Sequence, residues 1–528
     1  MGNLEKRLAA LPPGVLASLV RGIEKEGLRA CPDATLAQTP HPAALGSALT
    51  HDFITTDFSE SQLELITGVH PNADACVAQI TEIHQFVCRH LGDEVMWGTS
   101  MPCRLPVSDD GIPLGRYGES NVGLAKTVYR MGLSYRYGRR MQTISGIHYN
   151  FSLPDDAWAP LREADGWLGP DWAHRNDAYF ALIRNFRRHS WLLLYLFGAS
   201  PALERSFVSG REHGLQPLGD ETLHLPYATS LRMGPLGYQS DAQASLAVSY
   251  NGLAGYARSL HRALSEPFPR YQSIGIRDGG HYRQLADTLL QIENEFYGTI
   301  RPKRRIRPGE RPLRALGERG VEYVEVRCMD IDPFLPVGID ARTMRTLDVF
   351  LLHCLLQDSP PDTPDEIANN SRNQHLAAQR GRDPSMRLTS LGRERSLPQW
   401  GRALLSECAD IAAALDDANG GRDYRDALDA ARAALEDAAS TPSARVLERI
   451  RARHADSFID FALERSLAHR AWLRELRLPA AAAERYEAMA RDSIARQRAI
   501  EAADRVDFET YRREYLGQEL MAGEQLRV

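Results

Sequence analysis

Residues 22–28 of the chain read GIEKEGL, and this stretch carries the pattern on which the fold prediction rests. Successive side chains of a β-strand point to opposite faces, so Glu24 and Glu26 are expected to share one face. Residues 146–152 (GIHYNFS) alternate in the same way, with apolar side chains on one face and polar ones, among them His148, on the other. Both stretches therefore predict strands, and the clean alternation of residues 146–152 indicates a sheet with one apolar and one polar face.

Further acids lie on other short stretches that predict strands. These are residues 54–58 (ITTDF), 63–65 (LEL), 291–297 (QIENEFY) and 321–327 (VEYVEVR). In the last of them, Glu325 shares its predicted face with Tyr323 and Arg327. For any single strand, an ordinary sheet with one solvated face explains the pattern, because cross-strand charge pairs are common there.

Taken together, the polar residues of these strands indicate a metal site. The set contains five carboxylates and one imidazole: Glu24, Glu26, Asp57, Glu64, Glu325 and His148. If the strands are neighbours, the carboxylates repel one another and need cations, and such an oxygen-rich set suits Mg²⁺ or Mn²⁺. A metal there would stabilise charge in phosphoryl transfer. Sequence spacing alone leaves the metal site and the solvated sheet face equally open.

Composition excludes several classes of protein. The chain has 528 residues, with 63 Lys and Arg against 69 Asp and Glu, and its net charge of −6 lacks the basic surplus of a nucleic-acid binder. A hydrophobic fraction of 43% with so small a net charge excludes disorder. The most apolar run, residues 191–199, is about half as long as a membrane span. The seven cysteines form no CxxC pair, which predicts a reducing, cytoplasmic location without disulfides or structural zinc.

The arrangement of these elements predicts an α+β fold with two regions. The short strands and the helix-like stretches at 176–196 and 340–357 do not follow a regular βαβ order, which favours an antiparallel sheet. Residues 401–528 hold 30 alanines but only 5 of the 40 glycines and 2 of the 30 prolines, so they are expected to be helical. We therefore expect one large domain over residues 1–400 and an Ala-rich helical region over residues 401–528 packed on it.

Other binding signals are weaker. The chain contains no Walker A pattern, so a P-loop is not supported. The basic run 301–307 (RPKRRIR) is explained either by a solvated loop or by a contact with nucleotide phosphates, which clusters of Arg and Lys favour. Arg232 is explained either by a surface ion pair or by a bidentate bond to a carboxylate.

Several long motifs follow one another in an order that resembles the glutamate–cysteine ligase family, in its proteobacterial branch. They are GIEKEGLR (22–29), HPAALGSALTHDFITTDFSESQLELIT (41–67), YGRRMQTISGIHYNFSLP (137–154), YLFGASPA (195–202), LPYATSLRMGPLGYQS (225–240), LQIENEFYGTIRPKR (290–304) and GVEYVEVRCMDIDPF (320–334). The resemblance runs from about residue 20 to about residue 355. One departure is Gly27, where relatives carry Thr, and we interpret it as a local change of backbone.

The resemblance implies a fold and a reaction. The fold is similar to the catalytic domain of glutamine synthetase, in which a curved, mainly antiparallel sheet forms a metal-lined funnel; residues 1–400 would form this ligase domain. The implied reaction joins L-glutamate to L-cysteine with ATP as co-substrate and Mg²⁺, or Mn²⁺ in its place, as cofactor. Its product, γ-glutamylcysteine, is the precursor of glutathione. A monomer in the cytoplasm, with no nucleic-acid or membrane partner, is the accompanying expectation.

The resemblance also implies roles for individual residues. The six residues of the acidic strands match the family's magnesium ligands, and Glu325 and Arg327 match catalytic positions. Arg327 corresponds to the arginine that stabilises the phosphoryl and acyl transition states. Positions lining the amino-acid pockets match Phe58, Tyr129, Gln142, Asn150, Arg232, Tyr238 and Tyr297. Lys303 and Arg304 match a basic loop for which we infer nucleotide contact.

Three other functions remain open at this point. A related ligase could join glutamate to a different amine, since only the thiol pocket separates the two. A metal-dependent hydrolase could use the same acidic sheet and would turn over without ATP. A protein that binds glutamate and nucleotide without chemistry is a third alternative, although it gives no reason for six metal-type residues together with Arg327.

Overall fold

The predicted acids lie on strands whose bounds come from a computed structural model describing residues 2–237, 246–390 and 392–526. Tyr238, one of the predicted pocket residues, lies outside these ranges. The strands are β1 (Val20–Ala30), β2 (Ile54–Thr56), β3 (Gln62–Ile66), β4 (Val95–Met96), β5 (Ile147–Ser152), β6 (Ala202–Glu204), β7 (Gln216–Pro217), β8 (Thr222–His224), β9 (Arg277–Asp278), β10 (His281–Tyr282), β11 (Ile300–Lys303), β12 (Tyr323–Met329), β13 (Arg387–Ser390) and β14 (Arg393–Ser396).

Seven of these strands form one sheet, with the spatial order β11-β12-β5-β1-β3-β2 and with β4 paired to β1. Every pair in this sheet is antiparallel. The register sets Glu24 opposite His148 and Glu26 opposite Glu64. Residues directly opposite one another on antiparallel strands share a face, so the acids of separate strands meet on one side of the sheet. The predicted α+β class with an antiparallel sheet is confirmed.

Helices cover the sheet and form the C-terminal part of the described chain. In chain order they are Asn3–Ala10, Pro13–Ala17, Ala73–His90, Asn121–Tyr137, Trp158–Asp165, Asp171–His189, Trp191–Phe197, Leu253–Ser265, Pro269–Gln272, Pro312–Arg319, Ala341–Leu356, Pro364–Arg380, Leu397–Glu407, Ala409–Asn419, Asp423–Glu436, Pro442–Arg453, Phe458–Glu475, Ala480–Ala503 and Phe508–Leu516. Within the described ranges, none of them has both the length and the apolar character needed to cross a membrane.

The face of the sheet opposite the acids packs against helices in the main core. Ile23, Tyr149 and Val324 point to this side and are buried in the same apolar cluster as residues of the helix Ala341–Leu356. An ion pair lies within this core, because Asp348 accepts a 2.6 Å hydrogen bond from the Tyr149 hydroxyl and is 3.0 Å from the Arg21 guanidinium. The ion pair joins β1 to the helix behind the sheet, and the hydrogen bond from Tyr149 joins β5 to the same helix.

The last helices bind loops that belong to the first third of the chain. In the helix Ala480–Ala503, the Ser493 hydroxyl accepts a hydrogen bond from the backbone N–H of Ser47, and the Ser493 carbonyl accepts one from Thr50. These contacts fix the segment that leads into β2. Gly46 lies in the same segment at φ 82°, and a Cβ at this position would overlap Ser493 and approach Ala490.

The strand predicted for residues 291–297 is wrong. The segment contains a short 3-10 helix, Glu293–Glu295, and its two glutamates are buried. Glu293 is 2.8 Å from Arg311 and accepts the N–H of Leu313 at the start of the helix Pro312–Arg319. Glu295 is 2.8 Å from the buried guanidinium of Arg136. The alternation of acids here therefore serves two buried ion pairs rather than one sheet face.

Gly27 has a local explanation. It lies on β1 opposite Leu63, and a Cβ built on it would come 2.8 Å from the terminal methyl group of Met96 on β4. The Met96 side chain thus occupies the space that a larger residue would need. Glu24 and Glu26 lie on the same continuous strand, so the structure explains Gly27 by the packing of Met96, and a local change of backbone stays a prediction.

Candidate active site

Three adjacent strands bring metal-type side chains together. Glu24 on β1, His148 on β5 and Glu325 on β12 each offer one ligand atom, and these atoms all lie within 4.8 Å of one another. The strand order and register produce this cluster directly, since β5 lies between β12 and β1 and its His148 is opposite Glu24. The convergence that sequence spacing left open is thus present in the structure.

The imidazole of His148 is surrounded by carboxylates. Its Nδ1 is 3.3 Å from Glu24 and 3.8 Å from Glu325, and its Nε2 is 3.4 Å from Glu26. This Nε2 is buried and has no hydrogen-bond partner of good geometry in the described part of the chain. A buried ring nitrogen of this kind beside several carboxylate oxygens is a donor set that fits a divalent metal ion.

Glu64 and Asp57 extend the acidic face beyond Glu26. Burial raises the pKa of Glu64 well above its usual range, and the neighbouring carboxylates of Glu24 and Asp57 raise it further. Burial likewise raises the pKa of Glu26. The charges of neighbouring carboxylates thus disfavour the ionised forms of Glu26 and Glu64, an electrostatic pattern that a bound cation would relieve.

Two basic side chains hold Glu325 in its ionised form. Lys303 Nζ is 3.2 Å from one carboxylate oxygen, and an Nη atom of Arg327 is 3.1 Å from the other. Burial alone would raise the pKa of Glu325, but Lys303 and Arg327 lower it well below its usual range. Arg304 is directed elsewhere, since it donates to the carbonyl of Arg319 and lies 3.6 Å from Glu322. Of the predicted basic pair, the structure therefore brings only Lys303 to the cluster.

Among the predicted pocket residues, Asn150 contacts the cluster directly and four others make contacts with one another. Asn150 donates a 2.8 Å hydrogen bond to Glu24, and Gln142 donates one of 2.8 Å to the Tyr297 hydroxyl. Phe58 follows Asp57 and is buried in an apolar cluster against which Tyr129 packs. Gln142 and Tyr297 are thus paired by a hydrogen bond, and Phe58 and Tyr129 lie in one apolar cluster.

Arg232 lies near the end of β12. It is 1% exposed, and one of its Nη atoms donates a 2.9 Å hydrogen bond to the carbonyl of Arg327. Gly146 permits this position, because a Cβ there would overlap the guanidinium. Arg232 is therefore a buried cation next to the acidic face and not the surface ion-pair partner that the sequence left as an alternative.

Arg130 is a nearby residue that sequence reasoning missed. It lies on the helix Asn121–Tyr137, is buried, and its Nε donates to the backbone carbonyl of Asp57. Its guanidinium also lies 4.4 Å from the ring centre of Tyr117. No pattern in the sequence shows that Arg130 lies on a helix that faces the Asp57 loop.

Comparison with known proteins identifies the family. The family model described as "Glutamate-cysteine ligase" matches residues 8–377. A protein of Pseudomonas putida with the name glutamate–cysteine ligase is 49% identical over 510 residues, which cover 96% of this chain and 97% of the relative. The chain belongs to the glutamate–cysteine ligase family. The family that the sequence motifs predicted is thus confirmed.

Solved structures agree with this assignment. The crystal structure of glutamate–cysteine ligase from Francisella tularensis, a complex with AMP, has a TM-score of 0.89 and 37% identity, and the match covers 95% of this chain and 98% of the other. A further relative of the same name, from Alcanivorax borkumensis, is 47% identical over 98% of this chain and 99% of its own length. The similarity to glutamate–cysteine ligases therefore extends over the C-terminal helices as well as the sheet.

Proposed function

We propose that the chain joins the γ-carboxylate of L-glutamate to the amino group of L-cysteine with cleavage of ATP, giving γ-glutamylcysteine, ADP and phosphate. This is the first step of glutathione biosynthesis. A carboxylate is a poor acyl donor, so ATP first converts it to γ-glutamyl phosphate; the cysteine amine then attacks the acyl carbon and phosphate leaves. The observation that carries the proposal is the cluster of Glu24, His148 and Glu325, with Arg327 in contact with Glu325.

The acidic face is the proposed place for magnesium, with manganese as a substitute. The residues proposed to hold it are Glu24, Glu26, Asp57, Glu64, His148 and Glu325. Bound there, the metal supplies positive charge to the nucleotide phosphates and to the acceptor carboxylate. The chemistry of the donor set supports this assignment, since it consists of carboxylate oxygens with one imidazole whose Nε2 has no hydrogen-bond partner in the described chain.

Arg327 is proposed to stabilise the charge that develops during both chemical steps. Its guanidinium contacts Glu325 from the same strand face, so it is held in place before substrates bind. A preorganised donor of this kind costs little reorganisation when charge builds up on the transferred phosphoryl group and on the tetrahedral acyl centre. Glu325 then has two roles, as a metal ligand and as the group that orients Arg327.

The amino-acid substrates are proposed to bind beside this centre. The residues assigned to their pockets are Phe58, Tyr129, Gln142, Asn150, Arg232, Tyr238 and Tyr297. An arginine and tyrosine hydroxyls suit an α-carboxylate, and an aromatic wall suits a thiol side chain. Lys303, which lies at the edge of the cluster, is proposed to contact the nucleotide phosphates; Arg304 has weaker support because it faces Arg319 and Glu322.

At the level of architecture, we propose that residues 1–400 form the catalytic domain and that the sheet curves into a funnel lined by the metal ligands. Residues 401–528 are proposed to form a helical region packed on this domain. The enzyme is proposed to be a cytoplasmic monomer with small-molecule substrates. The seven cysteines, all free, suit a reducing compartment.

Release of ADP tests the proposal when glutamate is present and the second amino acid is varied. We expect turnover that requires ATP and that is fastest with cysteine. If alanine or 2-aminobutyrate supported turnover as well as cysteine does, the enzyme would be a related ligase for another amine. Turnover of a phosphate or peptide substrate without ATP would indicate the metal-dependent hydrolase.

A further inference from the structure

Asp330 is a buried carboxylate just beyond β12, the strand that carries Glu325 and Arg327. One of its oxygens accepts hydrogen bonds of 2.8 Å from the Ala199 N–H and from the Ser200 hydroxyl. The other oxygen accepts a 2.9 Å hydrogen bond from the Ser230 hydroxyl. Three donors from two separate segments therefore fix the orientation of this carboxylate.

The same carboxylate faces Arg232. Its Ser230-bound oxygen is 3.8 Å from an Nη atom of Arg232, two residues after that serine. The other Nη of Arg232 donates to the Arg327 carbonyl, so the guanidinium contacts residues before and after the end of β12. Both groups are buried, and the attraction between opposite charges is screened much less there than at the surface.

Because Arg232 is enclosed by protein, the orientation of its guanidinium determines how a carboxylate can bind to it. The guanidinium has the Arg327 carbonyl on one side and Gly146 packed against it. Arg232 is only 1% exposed, so a substrate carboxylate can reach only one edge of its guanidinium. The protein contacts of Arg232 determine which edge faces the site. A charged neighbour that fixes the rotation of the guanidinium therefore controls how well a carboxylate binds.

We propose that Asp330 is a positioning residue that holds the guanidinium of Arg232 in the orientation that binds the α-carboxylate of an amino-acid substrate. The inference rests on the proposed function of Arg232. Asp330 acts through Arg232 and does not touch substrate. The Ala199, Ser200 and Ser230 donors hold Asp330 in turn, so the segment 199–200, the segment 230–232 and the end of β12 form one unit.

Asp330→Asn is the informative substitution, because an asparagine has the same shape. Its oxygen can accept the bonds from Ala199 and Ser200, and its amide group can donate to the Ser230 hydroxyl. The negative charge opposite Arg232 is lost. Asp416→Asn is a matched control: Asp416 is also a buried carboxylate that accepts backbone N–H bonds and pairs with an arginine, Arg425, but it lies in a C-terminal helix.

The experiment measures kcat and the KM values for glutamate, cysteine and ATP by ADP release from the full-length enzyme. Arg232→Lys first identifies the affected amino acid by its raised KM. Asp330→Asn should raise the KM for that same amino acid about tenfold, with kcat and the KM for ATP changed less than about threefold. In the Arg232→Lys background, Asp330→Asn should add little, because the two residues act as one unit.

Each other outcome is decisive. If Arg232→Lys raises a KM and Asp330→Asn does not, the positioning role is refuted while the proposed role of Arg232 stands. If Arg232→Lys changes neither amino-acid KM, the carboxylate-binding role of Arg232 itself fails. Equal losses in all parameters, with a fall in melting temperature equal to that of Asp416→Asn, would reduce Asp330 to a structural role.

Should Asp330→Asn not fold, Ser230→Ala replaces it. A two- to fivefold rise in the same KM supports the proposal, and no rise overturns it.

Discussion

His148 and Glu24 lie opposite each other on neighbouring antiparallel strands, with the imidazole Nδ1 3.3 Å from a carboxylate oxygen. Their separation is set by the register of β1 and β5 and not by a loop. Sites on regular elements hold their side chains more precisely than sites on loops do. The acidic face is consequently expected to be preformed before metal and substrates bind.

Loss of the Glu325 charge should abolish ligation while the fold persists. Glu325→Gln removes a proposed metal ligand and the partner of Arg327, and we expect ADP release to fall by about 100-fold or more. Glu322→Gln is the matched control, because Glu322 precedes the same strand but pairs with Arg304 and Arg305 at the surface. Activity of Glu325→Gln close to that of the control would contradict a metal or catalytic role.

Because like charges lie close together on the acidic face, we expect the proposed metal ligand Glu64 to destabilise the metal-free enzyme. Glu64 lies directly opposite Glu26, and like charges in opposed positions are unfavourable. We expect Glu64→Gln to stabilise the metal-free protein by about 1 kcal/mol, and saturating Mg²⁺ to remove this difference. Melting temperatures with EDTA and with Mg²⁺ provide the measurement.

The control for this effect is Glu394→Gln, since Glu394 is exposed on β14 opposite Thr389. It should change the melting temperature little under either condition. A Glu64→Gln enzyme that melts below the wild type in EDTA would show that the acidic face is not under electrostatic strain.

Replacement of Asp332 by an uncharged residue is expected to stabilise the protein to an extent that depends on pH. Burial raises its pKa from 3.8 to about 6, although its carboxylate accepts the N–H of Phe334. A carboxyl group whose pKa is higher in the folded than in the unfolded state makes its full contribution to stability at pH values below the unfolded-state pKa. This contribution is lost as the pH rises through the folded-state pKa. Asp332→Asn can accept the same N–H bond, so we expect it to be more stable than the wild type by about 1–3 kcal/mol at pH 7–8.

The pH profile is the test for Asp332. Melting temperatures of the two proteins should approach each other as the pH falls from 7 towards 4, because the wild-type carboxyl becomes protonated. A difference that stays constant between pH 4 and pH 8 would show that titration of Asp332 is not its source.

The contact between residue 46 and the helix Ala480–Ala503 can be tested with a pair of glycines. Gly46 and Gly420 have positive φ values of 82° and 77°, but a Cβ would overlap Ser493 at the first and meet nothing within 4 Å at the second. Gly420→Ala should cost about 1–2 kcal/mol from backbone strain alone. Gly46→Ala should cost about 1–3 kcal/mol more because of the clash. Equal losses in thermal or urea unfolding would mean that the helix packs loosely there.

The sequence was informative where one strand could be read alone and uninformative where a partner decides the structure. Residues 146–152 alternate strictly and residues 22–28 place two acids on one face, so both strands and their polar faces were predictable. The acids at 293 and 295 alternate equally well, but their partners Arg311 and Arg136 stand 18 and 159 residues away. A period of two cannot distinguish a polar sheet face from two buried ion pairs.

Alternation also explains why only one member of the basic pair reaches the site. Lys303 is the last residue of β11 and faces Glu325, so the next residue, Arg304, points away. Asp330 and Arg130 were not predicted, because their importance depends on which loops and helix ends meet in space. The family motifs supplied the candidate residues, and the register of the sheet determines which of them lie together.

The bond between Ser47 and Ser493 joins residues that are 446 positions apart. During synthesis at roughly 5–20 residues per second, the segment leading to Asp57 waits tens of seconds before its partner helix leaves the ribosome. For most of its translation, the nascent chain therefore lacks the helix contacts that fix the segment leading to Asp57. Completion of this enzyme is consequently a late event, and truncated translation products are expected to be inactive even when they contain every residue proposed for chemistry.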